Sequence, residues 1–298
     1  MPYPATDDEV RERVDAFKQE LARVGWPAGQ RVTIVERWAT DDLARIRTDA
    51  AELVQMGCDL ILTTGSRVVP ILQQLTRTIP IVFVGTSDPV GQGLVASLAR
   101  PGGNTTGFSL LEFDGTDVPI IGKMLELLKQ CAPATTRVTL LFNAANPASL
   151  FYGRFFVSTC ERIGIMPVLS PVQRGEEIEH AIDAAAGPGG AMLVPSDLSL
   201  LAQRILVVEL AARRLLPAIY SDRAFAEAGG LISYSADRED MFRRAAGYAD
   251  RILRGENPAG LPVQQPTRYD LVVNLRAARA IGLTIPPIVM LRADEVIE

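Results

Sequence analysis

The sequence predicts an α/β protein built as two doubly wound lobes, and three observations lead there. Short apolar runs such as Leu60-Ile61-Leu62 and Ile81-Val82-Phe83-Val84 have the length and character of strands buried on both faces. Between them, apolar residues recur at steps of three and four, the spacing of amphipathic helices. The rhythm breaks at Arg100-Pro101-Gly102-Gly103-Asn104 and restarts near Arg137. Strand–helix alternation builds parallel sheets with right-handed crossovers, and 298 residues favour two lobes over one large core.

In order along the chain, Val10, Val14, Phe17, Leu21 and Val24 mark a first helix ended by Gly25 and Pro27. Arg31–Trp38 reads as a strand. Asp41 or Asp42 caps a helix carrying Leu43, Ile46, Ala50, Leu53 and Val54, which stops at Gly57. Asp59–Thr64 is a strand, Val68–Thr76 a helix, Ile79–Gly85 a strand, Gly91–Ala99 a helix and Thr105–Leu110 a strand. A long helix then carries Val118, Ile121, Met124, Leu125 and Leu128 up to Pro133. The second series runs Arg137–Asn143 (strand), Ala148–Ile163 (helix), Met166–Pro171 (strand) and Glu176–Ala186 (helix). It continues with Ala191–Pro195 (strand), Leu200–Leu215 (helix), Ala218–Tyr220 (strand), Leu231–Ser235 (strand) and a helix from Arg238 to about Arg254. A strand at Tyr269–Asn274 and a helix opened by Asn274 close the chain, with the stiff Ile285-Pro286-Pro287 after them. The two series are alike in pattern alone, with no sequence-level repeat.

Composition narrows the function. With 35 acidic and 30 basic side chains the net charge is −5, which disfavours a general nucleic-acid binder. No apolar run approaches the roughly 20 residues that cross a bilayer. Cys58, Cys131 and Cys160 form no CxxC pair and read as small buried hydrophobes. Phosphate-loop, His-Glu-x-x-His and Gly-x-Ser-x-Gly signatures are absent from the sequence. His180, the single histidine, sits among carboxylates in Glu176-Glu177-Ile178-Glu179-His180 and reads as a solvated helix face, so no metal site is expected. Gly91-Gln92-Gly93-Leu94-Val95-Ala96 has dinucleotide-fingerprint spacing, but Gly85-Thr86-Ser87-Asp88-Pro89-Val90 leads to it from the strand, whereas the fingerprint needs its first glycine in the tight turn directly after one. No cofactor is expected.

Small polar residues instead gather at the carboxyl ends of strands. Thr63-Thr64-Gly65-Ser66 and Thr86-Ser87-Asp88-Pro89 do so in the first series. Asn143-Ala144-Ala145-Asn146-Pro147, Pro195-Ser196-Asp197 and Tyr220-Ser221-Asp222 do so in the second. In open parallel sheets the ligand crevice lies outside these ends. Hydroxyls, amides and helix N-terminal N–H groups there can hold a carboxylate, and an aspartate can pair with an ammonium group. Taken singly, each of these residues can equally be a helix cap. No nucleophile and base stand out together, so the pattern points to holding a ligand without transforming it.

Longer motifs carry a resemblance. Ile79-Pro80-Ile81-Val82-Phe83, Ser87-Asp88-Pro89-Val90-Gly91 and Leu98-Ala99-Arg100-Pro101-Gly102-Gly103-Asn104-Thr105-Thr106-Gly107 resemble the signature of the ABC-transporter substrate-binding family that includes tryptophan- and tyrosine-binding lipoproteins. The tail is similar to that family's closing block, from Leu261-Pro262-Val263-Gln264-Gln265-Pro266-Thr267 through Ala280-Ile281-Gly282-Leu283-Thr284-Ile285-Pro286-Pro287 to Ala293-Asp294-Glu295-Val296-Ile297. The resemblance implies a type I periplasmic-binding-protein fold, with lobes at 1–110 plus 236–265 and 111–235 plus 266–298, a hinge between them, and a ligand closed between the lobes; the last segment can belong to either lobe. It implies cleft positions at Thr64, Gly65, Ser66, Thr86, Ser87 and Asp88, and at Asn143, Asn146, Ser196, Asp197, Ser221 and Asp222. Tyr234 would pack on the ligand, with Phe108 and Tyr3 as further candidate rings; Asp197 or Asp222 would hold an amine.

The implied activity is solute binding for an ABC uptake transporter, with an amino acid or related carboxylate as ligand, permease subunits as partners, no catalysis and a monomeric chain. A ligand-sensing regulatory module and a bilobal enzyme are the competing readings. In the family a first strand, at the centre of its sheet, follows an export signal. Here Met1-Pro2-Tyr3-Pro4 resembles the loop just after that strand. The first lobe is therefore expected to lack its first strand, and the reading frame to start at an internal methionine of a longer, exported form; the alternative is a truncated, unstable or rearranged relative. The chain as given would remain cytoplasmic, and an upstream signal would make it periplasmic or membrane-anchored.

Overall fold

The computed structural model describes residues 8–38, 42–113, 118–173 and 175–298. They belong to two units, Met1–Glu112 with Asp237–Arg268 and Phe113–Ala236 with Tyr269–Glu298.

In the first unit, α1 (Asp8–Arg23) turns Val10, Val14, Phe17 and Leu21 inward and packs on α10 (Arg238–Leu253). Asp42 caps α2 (Leu43–Gln55), its carboxylate accepting from the N–H groups of Ala44 (2.9 Å) and Arg45 (3.2 Å); Asp41 lies outside the described residues. β1 (Ile61–Thr64), β2 (Ile81–Thr86) and β3 (Thr105–Ser109) form a parallel sheet in that order, with α3 (Val68–Leu75) crossing from β1 to β2. Ile46, Ala50, Ile61, Ile71, Leu72 and Ile81 fill one core; Val69, Phe83, Leu94, Val95 and Val263 fill another. The returning segment locks β3: Ser109 N–H donates to Gln264 O (2.7 Å), and Gln264 N–H to Gly107 O (2.9 Å).

Two expectations fail in this unit. Among the described residues Arg31–Trp38 is no ladder strand, and its only bridge is Val32 to Ala28. A strand needs a lateral neighbour, and among those residues β1 pairs with β2 alone. A groove of about 210 Å³ is lined by the Val32–Trp38 run on one side and by Cys58–Leu62 on another. Gly91–Ala99 is a set of turns rather than a helix. The Asp88 carboxylate accepts from Gly91 N–H (2.8 Å), and Gly93 at φ +68° ends the turn before helical bonds can propagate.

The second unit holds α4 (Pro119–Cys131), β4 (Arg137–Phe142), α5 (Pro147–Arg162), β5 (Met166–Pro171), α6 (Gly175–Ala185) and β6 (Gly190–Val194). After them come α7 (Leu198–Ala202), α8 (Arg204–Arg213), β7 (Ala218–Tyr220), α9 (Arg223–Glu227) and β8 (Ile232–Ala236). The chain re-enters with β9 (Tyr269–Asn274), α11 (Leu275–Ala280), α12 (Pro287–Met290) and β10 (Glu295–Ile297). The sheet order is β10-β9-β8-β7-β6-β4-β5, with only the β8–β9 pair antiparallel. From β4 the chain adds β5 on one side, then returns to add β6, β7 and β8 on the other, which is double winding. The single helix expected over Leu200–Leu215 is two, broken at Gln203 (φ −103°, ψ 15°). Leu200, Leu201, Val207 and Val208 stay buried across the break, so the apolar periodicity does not register it.

Candidate ligand-binding site

The reversal of strand order in the second unit falls between β4 and β6, and there the loops following these strands are bonded to each other. Asn143 and Asn146 follow β4, while Ser196 and Asp197 follow β6. Asn146 Nδ2 donates to Asp197 Oδ2 (2.7 Å), and Asn143 Nδ2 to Ser199 Oγ (3.0 Å). Asp197 is also the N-cap of α7: Oδ1 accepts from Ser199 N–H (2.9 Å), Leu200 N–H (3.2 Å) and Ser199 Oγ (2.5 Å). The carboxylate is buried, at 7% exposure, and among the described residues no Lys, Arg or His forms an ion pair with it. Only neutral dipoles offset its charge, so Oδ2 keeps capacity for a cation. Ser196 is half-buried beside it.

The next loop is turned inward. Ser221 Oγ donates to the Met124 sulfur (3.4 Å), as does the buried Tyr152 hydroxyl (3.5 Å). Burial raises the Tyr152 phenol far above its ordinary range. Asp222 is buried and caps α9 through Ala224 N–H (3.2 Å). Tyr234 lies in β8, half-buried, stacked on Tyr269 of β9 with centroids 5.4 Å apart.

In the first unit, Thr64 ends β1 and Thr86 ends β2. Both are buried and neither hydroxyl has a hydrogen-bond partner. Buried hydroxyls without partners are uncommon. Beside them, α3 begins at Arg67 with no side-chain cap, so its first N–H groups are open to an anion. Gly65 sits at φ +78°, and Ser66 Oγ accepts from Gln92 Nε2 (3.3 Å). Ser87 is half-buried, whereas the Asp88 carboxylate turns back on its own loop. A Cβ on Gly91 would lie 2.0 Å from that carboxylate, so this glycine serves the Asp88 turn.

Phe108 is not available to a ligand: it is buried, packed at a tilt of 55° against Tyr248 (centroids 5.0 Å apart) with Arg244 over its ring (5.3 Å). Tyr3 lies outside the described residues. Sequence reasoning missed Ser149, whose buried hydroxyl near the start of α5 has no partner, and the trio Phe113, Phe151 and Phe155, with centroids 4.9–5.4 Å apart. Phe151 and Phe155 stand four apart on α5, a spacing that places them on one helix face. Among the described residues no group of three or more His, Cys, Asp or Glu could hold a metal ion, and His180 is exposed. No helix among them is long and apolar enough to cross a membrane.

Comparison with known proteins gives four findings. A family model described as ABC transporter substrate binding protein matches residues 4–297. A tyrosine-binding protein of Clostridioides difficile is 24% identical over 281 residues, covering 94% of this chain and 78% of the relative. The structure of an ABC domain from Streptococcus pneumonia in complex with L-Trp matches at 25% identity and TM-score 0.88, over 99% of this chain and 97% of that one. A ligand-free, open substrate-binding protein with adhesive properties from Clostridium difficile shares the fold at 23% identity and TM-score 0.77, with the same coverage.

Proposed function

The chain belongs to the ABC transporter substrate-binding protein family, and from that premise we propose that its ligand is a free amino acid whose ammonium pairs with Asp197. In the first unit the unpartnered Thr64 and Thr86 hydroxyls and the uncapped first turn of α3 suit a carboxylate. The observation that carries this reading is the Asp197 carboxylate, buried and without a cation among the described residues. A structural cap alone does not need a full charge away from water, because Asn and Ser cap as well. Asn146 orients Oδ2, and Asn143 holds Ser199 of the same loop. Asp222 is the second candidate for the amine. An aromatic side chain on the ligand suits the relatives that bind tyrosine or carry L-Trp, and the half-exposed rings of Phe113, Phe151, Phe155 and Tyr234 supply faces for it. The protein's partner is then a membrane permease, and its place of work is the side of the membrane from which solute is captured.

Isothermal titration calorimetry with a panel of amino acids, including L-Trp and L-Tyr, tests the assignment. Asp197→Asn keeps a capping oxygen and removes the charge; it is expected to weaken amino-acid binding by about 10²-fold or more, the scale of a desolvated ion pair losing one member. Asp222→Ala is expected to leave affinity within a few-fold. Unchanged affinity in Asp197→Asn would reject Asp197 as the amine partner, and no heat with any amino acid would reject the ligand class.

A further inference from the structure

The direction of the hydrogen bonds that reach Asp197 is set from a backbone group in the second unit. Ala145 N–H donates to Asn143 Oδ1 (2.9 Å), so turning the Asn143 amide over would set two donors against each other. Its Nδ2 therefore donates to Ser199 Oγ (3.0 Å), and an amide nitrogen accepts nothing in return. The single Ser199 hydroxyl proton is left for Asp197 Oδ1, 2.5 Å away. The N–H groups of Ser199 (2.9 Å) and Leu200 (3.2 Å) donate to the same oxygen. Oδ2 accepts from Asn146 Nδ2 (2.7 Å). A carboxylate offers about four lone-pair directions, shared evenly between its oxygens. Oδ1 is therefore saturated, and the direction left open belongs to Oδ2.

We propose that Ser199 is a positioning residue: oriented by Asn143, it fixes Asp197 as a pure acceptor, so that the site takes a 2-amino acid and refuses the 2-hydroxy and 2-oxo acids of the same side chain. This rests on the amino-acid reading above and adds to it the chemistry that is rejected. An ammonium gives Oδ2 a charge-assisted hydrogen bond. A ligand hydroxyl gives only a neutral donor, roughly half as strong, and leaves the buried carboxylate charge without a counter-charge. A ligand carbonyl brings lone pairs alone. No proton of the chain can turn to meet it, because reversing the Ser199 hydroxyl would point its proton at the Asn143 amide nitrogen. Ser199→Ala interrupts the chain. Oδ1 then gains an open direction, the carboxylate can turn about χ2, and a water bound to it can donate onward to a ligand oxygen.

Calorimetry with L-Trp, indole-3-lactate and indole-3-pyruvate, and with L-Tyr and its 2-hydroxy and 2-oxo counterparts, tests the selectivity. For the unsubstituted chain the amino acid is expected to bind about 10²-fold tighter than the hydroxy acid and about 10³-fold tighter than the oxo acid. Ser199→Ala is expected to lower both ratios about tenfold, the scale of one hydrogen bond, and Ser199→Thr, which keeps the hydroxyl, to restore them. A ratio between ligands on one protein does not depend on how much of that protein is folded, so a merely structural role for Ser199 would leave it unmoved. The ligand-free protein supplies a second readout. Side-chain amide protons of Asn143 are expected to exchange about tenfold faster in Ser199→Ala, with those of Asn146 unchanged. Amino and hydroxy acids binding within about threefold of each other, ratios that do not move in Ser199→Ala, or an unaltered Asn143 exchange rate would overturn the proposal and leave the amino-acid reading standing. No saturable heat with any of these compounds would overturn both.

Discussion

Gly85 and Gly107 lie in neighbouring strands and are glycine for different reasons. Gly85 sits at φ +84° where β2 shifts register between Val84 and Thr86, and a Cβ there would meet nothing within 4 Å. It is a bulge that re-aims Thr86, so Gly85→Ala is expected to cost only about 1 kcal/mol, the left-handed penalty. A Cβ on Gly107 would lie 2.0 Å from Phe83 O and 2.7 Å from Phe83 N. Gly107→Ala is therefore expected to part β2 from β3 and cost about 3 kcal/mol or more; equal chemical-denaturation midpoints for the two variants would contradict this. Asp250 accepts from Trp26 Nε1 (2.8 Å) and Arg254 Nε (2.6 Å), and the Trp26 bond, aided by Arg254, holds its carboxyl below the usual range. Stability from a lowered carboxyl is fully present above the unfolded pKa, about 3.9, and is lost as pH falls through the folded value. Trp26 emission in a Trp38→Phe background is expected to change only below about pH 3.9; a midpoint above that would refute the pairing. At this scale the polar loops were legible, but the directions of their side chains were not. Ser196-Asp197 and Ser221-Asp222 read identically, yet β7 runs right up to Ser221, ending at Tyr220, whereas β6 ends at Val194, two residues before Ser196, and Ser221 bonds the Met124 sulfur. The uncapped start of α3 was invisible because a missing cap leaves no residue signature.

Among elements, the long helices and the parallel strands with apolar runs were readable, since burial on both faces removes polar alternation. What failed was whatever depends on a neighbour. The Arg31–Trp38 run has strand composition without a ladder, because pairing is a property of two edges and the sequence records one. The Gly91–Ala99 turn has helical spacing that two glycines and the Asp88 carboxylate override. α9 and β10, of five and three residues, are too short for any period to show. The same edge logic orders local stability. Among the described residues β1 carries one neighbour and β2 carries two, so native-state amide exchange at Leu62 is expected to run faster than at Val82 by roughly 10²-fold or more. Comparable protection at the two sites would show that β1 is not an edge.

For the whole molecule, alternation and length were enough to indicate two parallel-sheet units, but not how differently they are finished. Among the described residues the first has three strands in its sheet and the second seven, including the antiparallel β8–β9 pair made by the returning segment. Ala236 and Tyr269 are ladder partners, and one residue further Asp237 N–H donates to Arg268 O (3.1 Å), so the chain leaves and re-enters this unit as a bonded pair. On the function proposed above, this molecule captures an amino acid and releases it unchanged. Equilibrium dialysis with isotope-labelled amino acids, followed by mass spectrometry of what is recovered from the protein, is the sharpest test. One equivalent bound per chain and full recovery at the original mass are expected; a labelled product of different mass, or no saturable uptake of any amino acid, would contradict the proposal.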